Sequence, residues 1–176
     1  MRRLLNGLFG YAAELTRSIR DGWDAFFFTP ADPTSLGLIR IVTGLLAFWS
    51  LFVFGIDLLD YFGSNGWADP EVVRLFQGER QPLAWSFWFS VSDAWLRPVW
   101  IICLGILAMF TAGLFSRVTA VLTWLIVVST VRRVPIALFG FDQIVSMLTL
   151  YLAATGASGQ AISLDRFIRR LRQARR

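Results

Sequence analysis

V-R-R-V-P-I-A-L-F-G-F-D-Q, residues Val131 to Gln143, interrupts two apolar stretches with two arginines, a proline, a glycine and an aspartate. The chain reads as helix on both sides, over Val118 to Val131 and over Ile144 to Ala157. Pro135 has no backbone N–H and Gly140 is a poor helix former, so this stretch separates two helices. Each flanking run is short of the roughly 20 apolar residues that cross a bilayer. The link Val134 to Phe141 must therefore lend length to the spans or re-enter the membrane, where protein or water has to cover its backbone. A charged side chain at membrane depth is costly unless it is paired or faces a wet cavity. Arg132, Arg133, Asp142 and Gln143 are accordingly the candidate ligand or partner contacts.

The surrounding composition supports a membrane setting. Hydrophobic residues make up 56% of the 176 positions, aromatics 15% and charged residues only 16%, which exceeds the apolar content of an ordinary soluble domain. The apolar segments use most of the length, so one domain is expected. The net charge of +5 comes from basic residues near both termini, beside apolar runs, which points to anionic lipid headgroups and not to nucleic acid. All 17 basic residues are arginine; lysine and histidine are absent. Arginine stays protonated and is a poor general base, so the two common nitrogen bases are missing. The single Cys103 permits neither a disulfide within the chain nor a zinc site, and no metal is expected.

The fold expected is all-α: an integral membrane four-helix bundle with three accessory helices. Residues 1–28 form an interfacial amphipathic helix, because Leu4, Leu8, Tyr11, Leu15 and Ile19 recur at helical spacing among Arg2, Arg3, Arg17 and Arg20. Residues 29–160 hold four spans at about 35–59, 92–115, 117–133 and 140–157. A short helix in the first external loop starts at Asp69 as N-cap, with Pro70 at the first helical position and Gly78 as terminator. A basic helix occupies 161–176, with Ser163 as its N-cap. Arg40, inside the first span, is either a snorkelling side chain or an ion-pair partner within the bundle. Gly105, Ala108, Ala112 and Gly113 on the second span let another helix approach closely. Trp85, Trp88, Trp95 and Trp100 read as an aromatic belt at the lipid interface, with a stacking site for a planar ligand as the other reading.

Orientation follows from arginine placement. With both termini cytoplasmic, Arg2, Arg3, Arg17, Arg20, Arg117 and the six C-terminal arginines, including Arg166, Arg169 and Arg170, lie inside at the headgroups. This places the chain in the cell's inner membrane. Arg132 and Arg133 then fall on the outer side, which arginine avoids. They are expected there either in an ion-pair network with Asp142, Asp57, Asp60 and Asp93, or at a ligand- or partner-facing site.

Several segments, taken in order, resemble the N-terminal part of the horizontally transferred transmembrane (HTTM) domain of vitamin K-dependent gamma-carboxylase-like proteins. They are D-P-T-S-L-G-L-I-R-I-V-T-G from Asp32, W-S-F-W and S-D-A-W-L between Trp85 and Leu96, A-G-L-F-S-R-V-T-A from Ala112, F-G-F-D-Q from Phe139 and S-L-D-R from Ser163. The resemblance implies a quinone cofactor and an essential lysine base. No lysine exists to carry that role, and the match is to the four-span part only. The function expected is a non-catalytic membrane subunit that acts through helix packing and contacts with lipid and other membrane subunits, without a cofactor. The alternative is a small enzyme or redox-associated protein that handles a quinone or another lipid ligand, HTTM-like or DoxX-like.

Overall fold

The computed structural model describes residues 11, 14–24, 34–67, 69–77, 85–155 and 163–174. The chain divides into two units, Met1–Asp32 and Pro33–Arg176. In the first, residues 14–24 form helix α1, along which Leu15, Ile19 and Trp23 are exposed. The rest of the helix expected over 1–28 lies outside the described residues, except Tyr11.

The described residues of the second unit form helices joined by turns and contain no strand. Its elements are α2 (Thr34–Phe54), α3 (Leu58–Phe62), α4 (Pro70–Gln77), the 3-10 turn η1 (Phe87–Ser90), α5 (Asp93–Ala112), α6 (Ser116–Arg133), the 3-10 turn η2 (Pro135–Ala137), α7 (Gly140–Thr155) and α8 (Leu164–Ala174). Helix α2 packs on α5 and α7, and α6 packs on the same two, so four long helices close a ring. Leu51, Leu96, Leu107, Ile126 and Val145 fill its middle.

Two helix boundaries show how the sequence writes this arrangement. The first apolar run, read as one span to Leu59, stops at Phe54. Trp100 on α5 donates its indole N–H to the Leu51 carbonyl at 2.9 Å, the acceptor that a continuing helix would offer to Gly55. Gly55 N–H turns to Phe52 O instead, and a side chain at Gly55 would overlap the Trp100 ring. At α4, the Asp69 carboxylate accepts from Glu71 N–H at 2.8 Å. This is the N-cap expected from D-P-E.

The expected break between α6 and α7 is a single tight turn. Val134 N–H still bonds to Thr130 O, Pro135–Ala137 make the 3-10 turn, and α7 starts at Gly140. The Asp142 carboxylate reaches back to the Phe139 N–H at 2.9 Å and closes the first turn of α7.

The core also holds threonines. Thr119, Thr130 and Thr149 each donate their hydroxyl to a carbonyl three to five residues earlier on their own chain, at 2.9 to 3.2 Å. Thr123 is fully buried and its hydroxyl has no hydrogen-bond partner among the described residues. Thr123→Val keeps the branched shape and removes that stranded hydroxyl. It is expected to stabilise the fold by about 1 kcal/mol, read as a rise in the unfolding midpoint in detergent. An unchanged or lower midpoint would mean that the hydroxyl is satisfied.

Among the described residues, two helices are long and apolar enough to cross a membrane: α2, with mean hydropathy 2.0, and α5, with 1.7. Only 33% and 22% of these stretches are buried inside the protein. Leu38, Val42, Leu45, Trp49, Ile101 and Ile102 face outward.

Candidate functional site: two buried arginines at opposite ends of α6

Arg133 ends α6, and its residue is fully buried. Its Nη2 donates to the carbonyls of Phe62 at 2.9 Å and Gly63 at 3.1 Å, the last residue of α3 and its C-cap. A guanidinium suits this place, because a helix C-terminus presents carbonyls without intrahelical donors and carries partial negative charge. The same guanidinium lies 5.4 Å from the centre of the Phe89 ring.

Around it sits an aromatic cluster, and here the belt reading needs correction. Trp88 is 1% exposed and belongs to the core. Ser86 caps η1 by accepting from Trp88 N–H, and its own hydroxyl donates to Ser129 O at 2.7 Å. That clamp turns Trp88 inward, where its indole N–H meets Thr130 Oγ1 at 3.2 Å and its ring meets Phe62 at 4.6 Å. Trp100 is half-buried against α2. Trp85 and Trp95 are exposed, at 62% and 65%. A 3-10 turn whose cap is held by a carbonyl on another helix leaves no periodic signal, so the sequence could not tell Trp85 from Trp88.

The charged groups expected to gather at this end are distributed over separate tasks. Asp142 lies with Phe139 N–H and with Ser50 Oγ on α2, the latter at 3.4 Å. Asp93 accepts from the Ser64 N–H at 3.0 Å and from its hydroxyl at 2.7 Å. Arg132 is partly exposed and Gln143 is exposed. Beside Asp142, Ser50 and Thr130 a small interior cavity of about 20 Å³ opens, room for about one water molecule. A drug-sized organic ligand takes ~300–1,000 Å³.

The other end of α6 carries the arrangement that the sequence did not reveal. Helix α5 closes through Gly113 at φ +75°, with Leu114 N–H on Met109 O, a glycine C-terminus of the Schellman kind. Phe115 follows at φ 48°, also left-handed, and starts α6 without a capping side chain of its own. Asp165, at the second position of α8, supplies the cap. Its carboxylate accepts from Phe115 N–H at 3.1 Å, Ser116 N–H at 3.0 Å and Ser116 Oγ at 2.9 Å. Backbone N–H groups converging from a left-handed turn make an anion-binding concavity, and the chain's own carboxylate fills it.

Arg40 completes this node. It is fully buried, and Asp165 is the acid whose charge acts on it. Its guanidinium lies so close over Gly113 that a Cβ there would stand 2.9 Å from Cζ and 2.7 Å from the Ser163 Cβ. The Arg40 side chain stays inside the protein and does not snorkel to the surface, and the charge of Asp165 acts on it there. Gly113, read as a helix-packing residue, makes room for this guanidinium. Ser163 caps α8 as expected, with Arg166 N–H on its hydroxyl at 3.2 Å. Three separated segments thus meet: L-G-L-I-R, A-G-L-F-S and S-L-D-R. One signal existed, since a helix that starts at Phe115 has no local cap and must borrow an acceptor.

No group of metal-binding side chains occurs among the described residues. No protein-family model, curated protein or solved structure matches the chain.

Proposed function

We propose that the protein is a non-catalytic integral membrane subunit, an HTTM-like bundle of four spans with both termini on the cytoplasmic side of the inner membrane. The observation that carries this reading is the environment of the two buried arginines. Arg133 is held on backbone carbonyls and an aromatic ring, and Arg40 on a turn and a carboxylate, both inside the fold. Fixed charges spent on joining helices suit a scaffold. The outward apolar faces of α2 and α5 support the membrane setting, because helices that are apolar all round are covered by lipid or by other helices. In this orientation the Arg40 node, with exposed Arg117 beside it, lies at the cytoplasmic end, and the Trp88 cluster at the outer end.

Gentle detergent extraction from native membranes, followed by native mass spectrometry, tests the reading. The expected result is a complex of fixed stoichiometry with other membrane proteins. A lone chain carrying a bound quinone would overturn it.

A further inference from the structure

Between α2 and α5 an open groove of about 690 Å³ runs down the outer surface, walled by Ile41, Leu45 and Phe48 and floored by Ala108 and Ala112. At one end it stops against Ser163, Leu164 and Phe167, the start of α8. We propose that this groove holds one acyl chain of an anionic phospholipid whose phosphate lies against the arginines of α8. The proposal rests on the membrane reading above.

Three observations select this occupant. First, the lining is apolar and of ligand size, unlike the interior cavity. Second, the groove is short: Ile41 to Phe48 covers two turns of α2, roughly 10 Å at ~1.5 Å per residue, before α8 closes it. A partner's membrane helix needs a track of ~30 Å, whereas a flexible hydrocarbon chain fits a short groove and leaves along the lipid face. Third, the closing helix is cationic. Against its one acid, Asp165, α8 carries four arginines, Arg166, Arg169, Arg170 and Arg172, so the helix is net positive. Leu164 and Phe167 meet the groove, and Arg166 stands exposed between them in the first turn of α8.

The test uses the full chain, delipidated in detergent, with native mass spectrometry during titration with phosphatidylglycerol, phosphatidylcholine of the same chains, or inorganic phosphate. One tightly held phosphatidylglycerol is expected, with weak phosphatidylcholine binding and no retained phosphate. Substituting Arg166, Arg169 and Arg170 together by Gln is expected to reduce the phosphatidylglycerol preference on the order of 100-fold, at about fivefold per arginine. Ala108→Trp fills the groove from its floor and Leu45→Trp from its exposed wall; either is expected to remove the bound lipid while the unfolding midpoint is kept. The proposal fails if both lipids bind equally, or if lipid stays in a folded Trp variant. It fails equally if those variants instead release a co-purifying membrane protein. The membrane reading fails separately, if the chain stays soluble and monodisperse without detergent.

Discussion

Asp165→Ala is expected to produce the largest loss of stability of any single substitution outside the hydrophobic core. The carboxylate serves two structures at once. It accepts three hydrogen bonds at the start of α6, from Phe115 N–H, Ser116 N–H and Ser116 Oγ, and it faces the buried Arg40. Arg40 is buried and Asp165 partly buried, so removing the acid takes away three hydrogen bonds at the start of α6 together with the charge that acts on the cation, at a combined cost of about 3–5 kcal/mol. Arg40 is fully buried, so water cannot take over as its counter-ion without opening the α2–α5–α8 junction. The measurement is thermal or denaturant unfolding of the purified chain in detergent. Asp165→Asn keeps an acceptor for the amides and loses the charge, so its expected loss is intermediate. Adding Arg40→Met to Asp165→Asn removes the stranded cation, and the double variant is expected to be more stable than Asp165→Asn alone. Additive losses in that cycle would show that the two side chains do not act as a pair.

Arg133→Ala is the second large effect, expected at about 3–4 kcal/mol by analogy with other buried charged groups that satisfy polar partners. The substitution strips the donor from the carbonyls of Phe62 and Gly63, both buried, and empties the space beside the Phe89 ring. Loss of the α3 anchor is expected to loosen the Trp88 cluster, visible as a red shift in tryptophan emission. Arg133→Lys keeps the charge but not the planar fork that bridges two carbonyls and stacks on a ring, so it is expected to recover less than half of the loss. Its neighbour Arg132 is partly exposed, and Arg132→Ala is expected to stay within about 1 kcal/mol of the parent protein. Equal effects at the two positions would contradict the assignment of Arg133 as the interior arginine.

These two sites mark the limit of sequence reading here. Arg132 and Arg133 are adjacent and identical, and only the azimuth of the last turn of α6 decides which one points inward. Arg40 was legible as an interior or snorkelling charge, but its partner lies 125 residues away, on a helix whose start looked like an ordinary Ser163 cap. Trp88 was grouped with Trp85, Trp95 and Trp100 because all four crowd one stretch; the Ser86 and Ser129 clamp that separates it spans 43 residues.

What the sequence by itself determined is local. Apolar runs, the glycine and proline breaks, and the caps at Asp69 and Ser163 placed the helices, and the absence of lysine and histidine removed the common nitrogen bases. These depend on backbone propensity and on side chains within a few residues, which one sequence records directly. Facing and partnership were decided only by the tertiary structure. Helices α2 and α5 are apolar nearly all round, so their periodicity does not say which side meets a neighbour. Arg40 finds Asp165, Arg133 finds the end of α3, and Trp100 ends α2 at Phe54 because packing brings distant groups to within hydrogen-bonding or charge range, and no local pattern encodes that meeting.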